Sequence, residues 1–260
     1  VVMIAFMVLD IYLLWRSGQA YKKKSSEDKK DDIFNLMMRT KDKDIVWDLL
    51  RKHVGRTQSF VTRFTCDVFN KIVDGVSNER LKELKVSYRE VNSERETLKK
   101  IRRQEFLAMR RIPERIALER NTWFHLGVNC NQQYMYCLRR MLDPIKEHVD
   151  NNFQPMPKKY LDEFESVRRR INEMMKHTDQ MISTNRYNLY RETLIISDEC
   201  KDELSALRER HLNFMQKDQD AAANMKTSLL YLNILQESQE MISIMRHQLR
   251  AAYKFISEDK

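Results

Sequence analysis

Gln236, Glu237 and Glu240 are the residues best suited by type and spacing to chemistry. Gln236 and Glu240 stand one helical turn apart and share a face, with Glu237 beside them. The row continues through Asn233, Ser243 and His247. A similar row, Asn129, Gln132, Gln133 and Tyr136, lies about one hundred residues earlier, roughly a domain length. Two such rows facing each other would hold a hard cation through oxygen ligands. The simpler reading is a solvated helix face. The six histidines, His53, His125, His148, His177, His211 and His247, are scattered one to a helical region, without an HExxH, paired-cysteine or EF-hand spacing. No GxSxG occurs, and sequence places no cysteine beside a histidine. Four glycines cannot supply a phosphate-cradling loop. No catalytic residue is assigned, and the chain is expected not to be an enzyme.

The elements that must position these rows are helices. With only 4 Gly and 4 Pro in 260 residues, the chain has few places to turn, which favours an all-α fold. Charged residues make up 33%, typical of long helices with wet faces. The net charge of +9 suits an anionic partner such as an acidic membrane surface. The arginine pairs 102–103, 110–111 and 139–140, and Arg168 to Arg170, lack interleaved aromatics. Nucleic acid is therefore not expected; these arginines suit either pairing with Glu and Asp across a bundle or facing acidic lipid near a membrane. Cys66, Cys130, Cys137 and Cys200 form no CxxC and read as reduced core residues of a cytosolic compartment.

Val1 to Trp15 is almost wholly apolar. At ~1.5 Å per residue it reaches about 22 Å, short of a ~30 Å hydrocarbon core. It reads as the end of a transmembrane helix, residues 1–16, although Asp10 suits a buried or interfacial helix. Arg16 and Lys22 to Lys24 follow, as expected on a cytoplasmic side. Residues 17–41 read as a cytoplasmic linker, with Ile33 to Met38 as a short docking turn. A first helix is expected over 42–74, with Gly75 as its stop. A second starts at Ser77 or Asn78 and ends near Arg111. Pro113 opens a third that reaches Asn151, with Pro144 expected to kink or end it. Phe153 to Pro157 is the clearest break. Helices over 158–185, 187–217 and 221–256 follow. The expected organisation is two antiparallel three-helix bundles, 42–152 and 158–256.

The segments NTWFHLGVNCNQQYMYCLRRMLDPIKEHVDNNF and LLYLNILQESQEMISIMRHQLRAAYKF, placed on matching helices of two halves, resemble the PhoU fold. A spanning-helix end, a basic flank and such a domain together resemble the C-terminal cytoplasmic portion of a bacterial PiT-type inorganic phosphate transporter. The resemblance implies a regulatory domain at the cell inner membrane, this portion cytoplasmic, that acts by binding and conformational coupling. Its implied partners are the transporter membrane domain, a homodimer mate and the acidic membrane surface. PhoU proteins bind metal clusters through acidic-x-x-x-Asp motifs, so the resemblance raises a divalent or trivalent metal, with Glu237, Glu240 and Gln236 as candidates. At the matching positions stand Gln236 and Glu240 in the second half and Gln132 and Tyr136 in the first. One acidic residue in four departs from the family pattern, and no cofactor is expected. The competing reading is a membrane-tethered helical coiled-coil scaffold that self-associates through near-heptad faces.

Overall fold

The computed structural model describes residues 32–217 and 221–257. Residues 1–31, which hold the apolar run expected as a transmembrane end, lie outside the described residues. Those described are helical, without a strand: a short α1 at 32–39, then α2 (Lys43–Ser77), α3 (Leu81–Met109), α4 (Glu114–Asp150), α5 (Lys158–Thr184), α6 (Tyr190–Lys217) and α7 (Ala221–Ile256). Among them no helix is long and apolar enough to cross a membrane.

Helix α2 starts where Asp42 Oδ1 accepts from the amides of Asp44 (2.9 Å) and Ile45 (3.3 Å), filling two of the first-turn donors. It does not stop at Gly75. The glycine is buried inside the last turn, and a Cβ there would lie 2.6 Å from Leu84 Cδ2, so its role is close approach to α3. The turn comes at Glu79, in the left-handed region (φ 51), where the Arg80 amide reaches back to the Gly75 carbonyl at 2.9 Å. Helix α4 does not end at Pro144. Met141, Leu142 and Ile145 around the proline are fully buried, and packing holds the helix where one backbone donor is missing. At the end of α5, Asn185 takes the left-handed conformation (φ 53) that asparagine tolerates.

Successive long helices run antiparallel. Lys85 meets Asp150 (2.9 Å) between α3 and α4, and Arg170 meets Glu203 (3.3 Å) between α5 and α6. Helices α2, α3 and α4 touch one another, as do α5, α6 and α7. The two sets meet along α2 with α5 and, most extensively, α4 with α7. One apolar cluster draws on all six long helices, including Phe69, Tyr134, Leu138, Phe164, Cys200 and Met245. A second gathers at the end where α1 enters: fully buried Met37 packs with Val46, Leu50, Ala108, Phe124 and Phe255. Trp47, Phe255, Phe124 and Phe106 form an edge-on and tilted aromatic chain there, at 5.3, 5.7 and 5.4 Å between neighbours. Arg111 clamps α1 by donating to the carbonyls of Met38 and Thr40. The expected docking turn at Ile33 to Met38 is thus a docked helix.

Candidate functional site

The two polar rows lie on α4 and α7, which pack side by side. Arg120 donates to the Lys254 carbonyl at one end, and Cys137 Sγ to the Glu237 carbonyl (3.2 Å) further along. The helices are therefore antiparallel, and their apolar stripes supply the contact. The rows do not face each other as a ring of oxygens. Glu237 is buried and meets Arg140: Nε lies 2.8 and 3.0 Å from the two carboxylate oxygens, and Nη2 2.8 Å from Oε2. The carboxylate, accepting from Nε and Nη2, holds the Arg140 guanidinium above its ordinary value. Gln236, exposed, accepts from Arg208 Nη1 at 3.0 Å. Glu240, half-buried, lies one turn on. On α4, Gln132 is buried, and the exposed Tyr136 ring sits under the Arg95 guanidinium at 5.1 Å.

This donor set does not fit a metal cluster. A hard cation needs several oxygens not already neutralised, and here Glu237 is committed to Arg140 and Gln236 to Arg208. Among the described residues no three His, Cys, Asp or Glu side chains gather to hold a metal. The arrangement provides a charged lock across the α4–α7 seam.

Deeper along the same seam is a polar junction built on Gln248 of α7. Its Oε1 accepts from Thr62 Oγ1 (3.1 Å) and Tyr134 OH (3.1 Å), and its Nε2 donates to the Gln58 carbonyl (3.3 Å). Three helices thus meet on one fully buried amide. Gly127 of α4 leaves room beside it, because a Cβ would lie 2.3 Å from Gln58 Nε2. The stripe Gln58, Thr62, Thr65 was readable in the sequence as a polar interruption of an apolar face. Of the six histidines, His53, His148 and His211 are buried, whereas His125 and His247 are exposed. His53 pairs with buried Glu105 at 3.0 Å. His211 stands edge-on to Tyr160 (4.7 Å) and Tyr231 (5.0 Å). Burial pushes its imidazole below the ordinary 6.5. The four thiols are free, and burial pushes Cys66 up to about 11 and Cys130 and Cys200 to about 12, far from a reactive thiolate.

Several arginines singled out by sequence pair across the molecule. Arg168 meets Asp74 (2.8 Å) and Asn70 (2.8 Å), and Arg170 meets Glu199 (2.5 Å). A different basic stripe, absent from the sequence reading, lines a cleft of about 490 Å³ between α2 and the end of α5: Lys52, Arg56 and Arg63. Its spacing is legible in the sequence, but it contains no adjacent arginines. No family model matches the sequence, and no curated protein matches it.

Proposed function

We propose that the chain is the cytoplasmic regulatory domain of a membrane inorganic phosphate transporter, working by binding and conformational coupling rather than by covalent chemistry. The observation that carries this reading is the repeated order of helix pairings. Helices α2, α3 and α4 touch pairwise, α5, α6 and α7 repeat the scheme, and equivalent helices meet each other, α2 with α5 and α4 with α7. Such a repeat is what two PhoU-like three-helix bundles packed side by side would give, and it supports the reading. The all-helical build and the amphipathic faces support it; the transporter membrane domain, the inner-membrane location and a homodimer mate follow from the reading.

Coupling suits this architecture because packed interfaces switch between discrete arrangements. A ligand that favours one packing of α4 on α7 shifts the population of that state only by its difference in affinity for the two. The seam carries the parts such a shift would rearrange: the Arg140–Glu237 lock and the Gln248 junction. The membrane-tethered scaffold reading asks for a rod, whereas the long helices here fold back on one another.

The test is labelled phosphate uptake by cells that lack their own phosphate permeases and express the full-length gene. Uptake above the empty-vector level is the expected result. No uptake by a protein shown to reach the membrane overturns the reading.

A further inference from the structure

One stripe of α2 carries positive charge that the described residues leave partly uncompensated. Lys52, Arg56, Ser59 and Arg63 follow at spacings of four, three and four, so they share a helix face. The stripe walls the 490 Å³ cleft, with the end of α5 opposite and Arg51 at its edge. The two outer arginines are held. Arg63 Nη1 donates to the Asp179 oxygens at 3.0 and 3.3 Å and to Ser59 Oγ at 2.8 Å. Arg51 Nη2 donates to Asp48 Oδ1 at 3.2 Å. Lys52 and Arg56 lie between them, exposed, and neither forms an ion pair among the described residues. Among the described residues, Lys52 and Arg56 thus place two positive charges one helical turn apart on the cleft wall.

The opposing influence is small. The C-terminal end of α5 carries about half a negative charge, and its Met181 carbonyl is already occupied by the amides of Asn185 and Arg186. Two full charges outweigh it. An ammonium and a guanidinium side by side, in a concave site, match a tetrahedral dianion with three charged oxygens. A monoanion would leave one charge uncompensated. The carboxylate partners of Arg51 and Arg63 keep those two arginines from closing on the cleft.

We propose that this cleft binds a phosphate dianion between Lys52 and Arg56, supplied as free inorganic phosphate or as a phosphomonoester lipid headgroup. As the regulatory ligand of the domain it rests on the reading above; as a site it rests on the cleft alone. The experiment is calorimetric titration of the full 260-residue chain in nonionic detergent with sodium phosphate at pH 8 and low salt, with sodium acetate as the monoanion control. In parallel, the chain is sedimented with phosphatidylcholine vesicles containing phosphatidic acid. Saturable phosphate binding that weakens about tenfold in Lys52→Gln and in Arg56→Gln, the loss of one charge-assisted contact, is the expected result. Lys82→Gln, which removes an exposed charge on α3, should leave it unchanged. If only the vesicles bind, with the same dependence on Lys52 and Arg56, the headgroup is the source. Absence of binding to both probes, or binding that ignores Lys52 and Arg56, overturns the site. That failure leaves the uptake experiment standing, so the two proposals fail separately. Both variants alter exposed side chains, and unchanged circular dichroism confirms their fold.

Discussion

Arg140 and Glu237 show how one buried carboxylate decides what its surroundings can do. Glu237 is almost wholly buried while the Arg140 side chain is half exposed, so the pair sits at the edge of the seam. Removing the arginine leaves a buried charge without its partner. A fully buried pair loses ~3–5 kcal/mol in that way, and the wet side of this one lowers the expectation for Arg140→Met to about 2 kcal/mol. Urea unfolding of Arg140→Met against the wild-type chain measures it, and a loss under about 0.5 kcal/mol, within the range of surface pairs, would mean the lock is ornamental. His211 yields a pH dependence of definite sign. Burial lowers its folded value below the ordinary 6.5, so below that pH the unfolded chain binds the extra proton. Its contribution to stability is complete above about 6.5 and is lost as the pH falls through the folded value. The urea midpoint should therefore drop between pH 7.5 and 5.5, and His211→Phe, which keeps a ring against Tyr160 and Tyr231, should flatten that drop. An identical pH slope in the variant would remove His211 as its source.

At the scale of elements, helices hold their places through junctions that periodicity does not reveal. Gln248 ties α7 to α2 and α4, and Gln248→Ala strands the hydroxyl of Tyr134 in a dry site, while Thr62 keeps its bond to the Gln58 carbonyl. At ~1–3 kcal/mol for an unsatisfied group, a loss of about 2 kcal/mol in denaturant unfolding is expected; a neutral effect would show that the hydroxyl finds another partner. Gly75→Ala sets helix propensity against packing. Alanine gains up to ~1 kcal/mol in a helix, but its Cβ would meet buried Leu84 at 2.6 Å. Overpacking costs ~1–3 kcal/mol, so a net destabilisation is expected on thermal melting. The sequence shows the helices themselves and their apolar faces plainly, because a period of 3.6 survives over nearly thirty residues or more. It misleads at Gly75, where a glycine serves helix–helix approach rather than a stop, and at Glu79, a residue type that does not advertise a left-handed turn. It misses the Gln248 junction and the Lys52–Arg56 cleft because both depend on which faces meet. It points to Glu237 as a polar feature of α7, but the arginine facing it comes from a helix about one hundred residues away.

Across the whole molecule, the two sets of three helices share one apolar cluster rather than each closing its own. Unfolding should therefore be a single transition, with the fluorescence of Trp47 and Trp123 and the far-UV dichroism falling together. Residues 42–152 expressed alone should self-associate, because the faces of α2 and α4 that pack on α5 and α7 would be uncovered. A stable monomer of that fragment in ultracentrifugation would show that the halves are independent. Under the proposed coupling, an anion at the α2–α5 cleft would act on the α4–α7 seam through α2, which touches α4, α5 and α7.

The regulatory claim is tested most directly by phosphate uptake measured in phosphate-starved and phosphate-replete cells, for the full-length gene and for one lacking residues 32–257. Uptake by the intact protein that responds to internal phosphate, and uptake by the truncated protein that no longer does, is the result this account expects. Equal responses from the two proteins would contradict it.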